Sequence, residues 1–422
     1  MASTPAQYRY QITIIGLLFF IFGFVTWLNG TLIPFLKLAC DLSTNQALLV
    51  TFAFYISYFF LAIPSSQILQ RTGFKNGMAL GLLVMAVGCL VFIPAAQVRA
   101  FPLFLLGLFV QGMGLALLQT ASNPYISIIG PIESAAQRIS IMGICNKAAG
   151  ILSPLILSSI VLKNASAIEA QVATATDATQ RAGLLDELAA RVIVPYIVMA
   201  IVLAALALMI RRSSLPEIDT SEEGAQADGS ASLAAGRSSV WQFPHLVLGA
   251  LAIFFYVGAE VMAGDVIGIY GRSLHFSPDQ TKYFTSFTLV AMLVGYVLSI
   301  ILIPRYVSQQ NFLKYSAVLG LLFTVGAFAS GGTLSVTFIA LLGLANAVMW
   351  PAIFPLAING LGRFTQIGSA LLIMGIAGGA LLPQLYGALE APMGSQLAFL
   401  LVMLPCYLYI LYYAMQGHRN RR

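Results

Sequence analysis

Long stretches of this chain contain no charged residue, and this constrains the fold more than any other feature. Leu103–Leu118 and Leu397–Leu404 are two examples. Of the 422 residues, 59% are hydrophobic and only 9% are charged, whereas about 25% of the residues of a soluble protein are charged. A helix that crosses a bilayer needs roughly 20 apolar residues. The composition therefore excludes a soluble globular enzyme and predicts a helical membrane protein.

Apolar runs that end at charge, proline or glycine predict twelve spans, numbered 1 to 12 below, and the alternating pattern of a membrane β-barrel is absent from the sequence. The first run passes 20 residues and has no small-residue cleavage site, so we expect a retained helix, not a cleaved signal peptide. The predicted spans are 11–36, 46–69, 77–97, 102–129, 138–162, 192–210, 243–270, 281–304, 312–330, 334–360, 366–388 and 396–415.

Charge in the connections predicts the orientation. With both termini on one side, that side holds 13 Lys and Arg residues and the other side seven, so the positive-inside rule places both termini in the cytoplasm. Residues 211–242 are predicted to be a flexible cytoplasmic linker between two six-helix bundles, 1–210 and 243–422. Residues 163–191, on the outer side, are predicted to carry a short amphipathic helix or to be a solvated connector.

The two halves resemble each other in order. The pair Asn123-Pro124 of span 4 matches Trp350-Pro351 of span 10 at a shift of 227 residues. A shift of 235 residues relates spans 1 and 7, and it pairs Phe19, Phe20, Gly23 and Gly30 with Phe254, Phe255, Gly258 and Asp265. These ordered matches indicate a duplicated six-helix unit and an all-α membrane fold of two pseudo-symmetric bundles with a solute site between them.

Three charged residues stand clearly inside the spans, namely Lys147, Glu260 and Asp265. A charge near the bilayer centre costs about 2.5–3.5 kcal/mol on insertion scales, so each should face a partner or a water-filled cavity. One interpretation is a structural ion pair between a carboxylate and Lys147. The other is that Glu260, Asp265 or both bind and release a cation during transport.

Glycines surround Asp265 in span 7 and favour an unwound segment whose carbonyls turn toward a cavity. A carboxylate beside free carbonyls suits a hard cation, so Asp265 is a candidate sodium site. The same carboxylate could instead carry a proton, and the residues alone leave both open. The glycines are Gly258, Gly264, Gly268 and Gly271.

Amides form a second group of polar residues inside the spans. Because amides both donate and accept hydrogen bonds, several around one cavity suit a neutral ligand rich in hydroxyl groups. Trp27 and Trp350 would add flat faces for a sugar ring, although each amide alone could equally serve helix packing. The candidate substrate-binding residues are Asn29, Gln119, Asn123, Asn146, Lys147, Asn346 and Trp350.

The sequence contains no recognisable catalytic or cofactor motif. His245, His275 and His418 have no triad or metal-like spacing, and the glycine-rich segments lack the lysine of a phosphate loop. We therefore expect no enzyme, no cofactor and no nucleic-acid partner, with the lipid bilayer as surroundings and the monomer as the working unit. Four cysteines are expected to be reduced, namely Cys40, Cys89, Cys145 and Cys406.

Five stretches give the chain a family resemblance over nearly its whole length. It resembles the fucose/galactose/glucose:cation symporter family of the major facilitator superfamily, and the glucose/galactose transporter branch most of all. The resemblance implies a bacterial inner-membrane monosaccharide importer that works by alternating access. The stretches are Phe19–Gly30 (FFIFGFVTWLNG), Ala53–Phe59 (AFYISYF), Leu118–Tyr125 (LQTASNPY), Cys145–Gly150 (CNKAAG) and Tyr256–Asp265 (YVGAEVMAGD).

Departures from the family pattern concern the coupling residues. The fucose permease of that family has acids at the positions of Gly30 and Gln119, whereas Glu260 and Asp265 match uncharged positions. Asn146 matches an amide of the permease, so the resemblance implies a sugar contact there. Because Gly30 and Asp265 are counterparts in the repeat, we hypothesise that the coupling site has moved across the pseudo-twofold axis, with sodium favoured over a proton.

The sequence thus predicts a cation-coupled symporter of a neutral monosaccharide such as glucose or galactose. Alternatives are a carrier of fucose, fructose, an amino sugar or a drug, and a membrane sugar sensor that transports nothing. The missing catalytic residues count against a membrane enzyme, and the missing soluble domain counts against a receptor.

Overall fold

The computed structural model describes residues 5–128, 135–175, 177–215, 238–303, 306–361 and 364–419. Within these ranges every regular element is helical, and twelve segments are long and apolar enough to cross a membrane. The predicted all-α fold with twelve spans is confirmed. The segments are Arg9–Ala39, Thr44–Leu69, Arg71–Gln97, Phe101–Ser122, Ile141–Val161, Ala178–Arg212, Pro244–Gly264, Pro278–Leu302, Gln309–Ala329, Gly332–Ile358, Ile367–Met393 and Ser395–Arg419.

Helices are numbered here in chain order. The first half contains α1 (Pro5–Thr26), α2 (Asn29–Ala39), α3 (Thr44–Ala47), α4 (Leu49–Gln97), α5 (Phe101–Ile128), α6 (Ala135–Val161), α7 (Ala165–Thr174), α8 (Ala178–Ala190) and α9 (Ile193–Arg212). The second half contains α10 (Pro244–Gly264), α11 (Ile267–Ser273), α12 (Pro278–Thr281), α13 (Phe284–Leu302), α14 (Gln309–Ala329), α15 (Gly332–Asn346), α16 (Met349–Ile358), α17 (Thr365–Met374), α18 (Gly378–Met393) and α19 (Ser395–Met415).

The segment α4 contains spans 2 and 3, which are two helices joined by a turn at Gly73, where φ is 77°. Other spans are themselves broken helices. Span 1 divides into α1 and α2, and span 10 divides into α15 and α16. Such breaks are tolerated at membrane depth only where protein, not lipid, surrounds the freed backbone groups.

Span 7 ends earlier than its predicted range of 243–270. The helix α10 stops at Gly264, and a separate short helix, α11, follows from Ile267. The backbone changes register at this point, because the N–H groups of Asp265 and Val266 both donate to the carbonyl of Val261. Asp265 is therefore held at a helix break and not on a continuous helix.

Packing follows the two halves. In the first half α4 packs on α5 and α9, and α1 packs on α6. In the second half α14 packs on α15 and α19, and α10 packs on α18. Contacts between the halves join α6 to α13 and α4 to α18. Most of the predicted linker, residues 216–237, lies outside the described residues.

An even number of spans places both termini on one face of the protein, and the opposite face is called the far face below. On the far face an ion pair joins the halves, with Arg272 Nη2 lying 2.6 Å from Oε1 of Glu169. The predicted short helix in 163–191 is in fact two helices, α7 and α8. Two helices form because Asp177 caps the second one by accepting a hydrogen bond from the N–H of Thr179.

Candidate functional site

An ion pair links the two halves inside the protein. Lys147, on α6, places its Nζ atom 2.9 Å from Oε1 of Glu260, on α10, and the side chains are only 8% and 12% exposed. The same Nζ atom lies 4.4 Å from the ring centroid of Trp27, which is a cation–π distance. Of the two acids in span 7, Glu260 is the one that pairs with Lys147.

Three tyrosines lie near the carboxylate of Glu260. Tyr256 is one turn earlier on α10, close enough to interact with it. Tyr296 and Tyr407 lie close enough to interact with its charge, and all three tyrosines are buried. These tyrosines were not predicted, because the candidates in the sequence were charges, amides and tryptophans. A tyrosine one turn from an intramembrane acid was the available signal.

Asn346 and Trp350 lie beside these tyrosines. The hydroxyl of Tyr407 donates to Oδ1 of Asn346 at 2.9 Å, and Nδ2 of Asn346 is buried without a hydrogen-bond partner. The ring of Trp350 lies 6.5 Å from the ring of Tyr256 and is partly exposed. The structure thus brings two of the predicted sugar-binding residues close to the ion pair.

Asp265 occupies a separate position between the halves. It is fully buried, and its Oδ2 atom accepts a hydrogen bond from the hydroxyl of Tyr55, on α4, at 3.2 Å. The backbone N–H of Gly30, in the first turn of α2, lies near this carboxyl group. Oδ1 is buried without a hydrogen-bond partner. Within the described part of the chain, Asp265 forms no salt bridge.

The backbone carbonyls beside Asp265 are already hydrogen-bonded. Thr285 and Thr288, on α13, donate from their hydroxyls to the carbonyls of Gly264 and Ala263, each at 2.8 Å. The helix breaks as expected, but these two carbonyls point at threonine side chains and not at an open cavity. A cation at Asp265 would therefore have to share or replace these hydrogen bonds.

The other predicted amides lie at different places. Gln119 donates to the hydroxyl of Tyr58 at 2.7 Å, and both are buried. Asn146 is buried, and its Nδ2 lies 3.5 Å from the carbonyl of Phe19. Asn29 precedes Gly30 at the start of α2, where its Nδ2 atom has no partner. The side chain of Asn123 lies outside the described residues.

Trp27 is packed inside the protein in this structure, whereas the sequence-based expectation was an open face for a sugar ring. Its side chain is only 2% exposed. Lys147 covers the ring, and a Cβ atom at Gly150 or Gly264 would collide with it. Trp27 instead belongs to a small core cluster with Leu289 and residues of spans 8 and 10. It packs the halves together because glycines on both sides leave room for the indole.

Comparison with known proteins agrees with this architecture. The Major Facilitator Superfamily model matches residues 15–383. A glucose/galactose transporter of Brucella abortus biovar 1 (strain 9-941) is 34% identical over 425 residues, which cover 99% of this chain and 96% of that protein. The L-fucose-proton symporter of Escherichia coli (strain K12) is 27% identical over 419 residues, or 98% and 94% of the two chains.

A solved structure shows the same fold. The Major Facilitator Superfamily transporter FucP, in the outward conformation, matches with a TM-score of 0.75 at 24% identity, covering 97% of this chain and 99% of that one. Twelve apolar helices with a buried polar site between two halves define a membrane transporter. The chain belongs to the Major Facilitator Superfamily, and its glucose/galactose and L-fucose transporter relatives confirm the family resemblance found in the sequence.

Proposed function

We propose that this protein is a cation-coupled symporter of a neutral monosaccharide such as glucose or galactose. The observation that carries the proposal is the contrast between the two acids of span 7. Glu260 is neutralised by Lys147, whereas Asp265 is buried with one oxygen unpartnered. Acidic residues inside a membrane mark ion pathways and proton relays, and a carboxylate without a cationic partner can take up and release positive charge.

The site beside the ion pair suits a neutral sugar. Tyrosine hydroxyls and the amide of Asn346 donate and accept hydrogen bonds, as sugar hydroxyls require. The partly exposed ring of Trp350 can cover the C–H face of a sugar ring. An anionic substrate is disfavoured because Glu260 already neutralises the nearby Lys147. The names of the relatives, glucose/galactose transporter and L-fucose-proton symporter, support the same substrate class.

Sodium is the ion we favour, with a proton as the alternative. Asp265, the hydroxyls of Tyr55 and Thr285 and the carbonyl of Gly264 are oxygen donors of the kind that bind hard cations. Except for Oδ1 of Asp265, these oxygens are hydrogen-bonded in this structure, and a proton on Asp265 would leave most of those bonds in place. The E. coli relative is named as a proton symporter.

The orientation and cellular setting are part of the proposal. The Lys and Arg bias between the two faces supports cytoplasmic termini, a cytoplasmic linker at 211–242, and bundles at 1–210 and 243–422. The bacterial relatives support the inner membrane of a bacterium as its location. The sugar would then enter the cell along the cation gradient, with the chain acting as a monomer without a cofactor.

Uptake into proteoliposomes tests the proposal directly. A sodium gradient and a proton gradient are imposed separately, and the uptake of labelled glucose and galactose is followed over time. We expect accumulation above the external concentration with sodium and none without an ion gradient. Accumulation with the proton gradient alone would mean that the coupling ion is the proton and not sodium. No accumulation of either hexose under any gradient, although counterflow occurs, would show a uniporter and contradict the proposal.

Gly30 provides a test of alternating access. A Cβ atom at this position would collide with the side chain of Thr285, across the contact between the halves. We expect Gly30→Ala to keep α2 from closing against α13 and to lower glucose counterflow at least tenfold. Adding Thr285→Ala removes the obstructing atoms and should restore part of the rate. Normal counterflow in the single variant would show that this contact does not limit closure.

A further inference from the structure

The hydrogen bond between Tyr55 and Asp265 crosses from one half of the protein to the other. Tyr55 belongs to α4 of the first half, and Asp265 follows α10 of the second half. The tyrosine is buried and held from both sides, since its ring contacts Phe54 edge-on at 5.1 Å and a Cβ atom at Gly379 would lie only 3.0 Å from it. This hydroxyl can reach Asp265 only while α4 of the first half is in contact with the end of α10 of the second half.

A symporter passes through the closed form twice in each cycle. It closes once with sugar and cation bound, and it closes again empty, to return the site to the other side. In the loaded form the cation compensates the charge of Asp265. In the empty form the bare carboxylate must be buried, which costs several kcal/mol unless donors surround it.

Among the described residues, the side-chain hydrogen bond to the carboxyl group of Asp265 comes from the first half, from the hydroxyl of Tyr55. The backbone N–H of Gly30, also in the first half, lies near the same carboxyl group. Hydrogen bonds to a charged acceptor are roughly twice as strong as those to a neutral one. The hydroxyl of Tyr55 should therefore stabilise the empty closed form more than the loaded one.

We propose that Tyr55 is a positioning residue for the return of the empty carrier, acting by stabilising the unloaded carboxylate of Asp265. The inference rests on the proposed function, since only a cation-coupled carrier returns with Asp265 unloaded. Tyr55 would then act in one step of the transport cycle, whereas the tyrosines near Glu260 would contact the sugar.

Two transport assays separate this step from the others. Counterflow exchanges labelled sugar outside for unlabelled sugar inside, and with saturating cation on both sides the carrier moves only in its loaded form. Net uphill uptake requires the empty return in every cycle. For Tyr55→Phe we expect counterflow to fall less than about twofold and net uptake to fall about tenfold or more, the factor that one charge-assisted hydrogen bond supplies.

Tyr58→Phe is the matched control. Tyr58 lies three residues along the same helix, and its buried hydroxyl accepts a hydrogen bond from Gln119 of the first half. Loss of the Tyr58 hydroxyl should therefore change counterflow and net uptake by the same factor. In an Asp265→Asn background there is no charged acceptor, so adding Tyr55→Phe should lower counterflow no further.

The comparison of net uptake with counterflow determines whether Tyr55 acts in the empty return. A larger loss of net uptake than of counterflow in Tyr55→Phe, absent from Tyr58→Phe, supports it. Equal losses in both assays would mean that Tyr55 holds the fold or the sugar, and the return role would be wrong while wild-type coupling stands. If the wild type itself shows counterflow but no cation-driven accumulation, the proposed function fails, and that failure is visible before any variant is compared.

Discussion

Replacing Asp265 with asparagine should abolish uphill sugar accumulation. Asparagine has nearly the same shape and can still accept the hydrogen bond from Tyr55, so the contact between the halves should persist. It carries no charge for a cation to compensate, so sugar movement is no longer linked to the ion gradient. With one cation per sugar, a tenfold gradient sustains at most about tenfold accumulation, or about 1.4 kcal/mol. The variant should reach a ratio of one.

Proteoliposomes with the preferred ion gradient measure this ratio, and counterflow in the same vesicles checks that the variant is folded and inserted. Asp186→Asn makes the same chemical change at an exposed position, where Asp186 pairs with Arg99 on the far face. It should accumulate sugar like the wild type. Uphill accumulation by Asp265→Asn at the wild-type ratio would remove Asp265 from the coupling mechanism and leave Glu260 as the remaining intramembrane acid.

The transmembrane fold was predictable because lipid imposes a simple rule. A spanning segment must satisfy its backbone internally and present apolar side chains, so composition alone locates the helices. The glycines of span 7 predicted the break near Asp265, where α10 ends at Gly264. They did not predict the partners of the freed carbonyls, which accept hydrogen bonds from threonines of α13. Those threonines are about twenty residues away in sequence, and no local pattern points to them.

The site was predictable in its charges and not in its pairings. The sequence identified Lys147, Glu260 and Asp265, because a charge inside an apolar span is conspicuous. It did not show which acid pairs with Lys147, since that depends on how the halves dock. It also did not show that Trp27 is buried, because its environment is set by Gly150 and Gly264 on other spans. The tyrosines near Glu260 were not predicted, because the chain has 17 tyrosines and a tyrosine by itself carries little functional information.

The repeat relationship gains a physical meaning from the structure. Gly30 and Asp265 are equivalent positions of the two halves, and the backbone of Gly30 lies near the carboxyl group of Asp265. Equivalent residues that meet must lie near the pseudo-twofold axis. An acid at either position would therefore project into nearly the same place. In our hypothesis the coupling carboxylate lies on the second half here and on the first half in the fucose permease, at nearly the same place in space. The lack of a side chain at Gly30 leaves room for Thr285.

Removing either partner of the Lys147–Glu260 pair is expected to lower both transport and stability strongly. Lys147→Met leaves the carboxylate of Glu260 buried without its cation, and Glu260→Gln leaves the ammonium of Lys147 without its anion. Losing one partner of a buried ion pair costs about 3–5 kcal/mol. Both variants should lose most glucose counterflow and melt at a lower temperature in detergent than the wild type.

The double variant Lys147→Met with Glu260→Gln separates folding from sugar binding. Removing both charges leaves no uncompensated ion, and replacing a buried pair with neutral side chains is often neutral or stabilising. The melting temperature should therefore return close to that of the wild type. If the pair also binds the sugar, the KM for counterflow should remain at least tenfold raised in this stable variant, because the charge-assisted hydrogen bonds to sugar hydroxyls are gone. A stable double variant with a normal KM would mean that the pair only joins the halves, and sugar recognition would then fall to Asn346, Trp350 and the tyrosines around them.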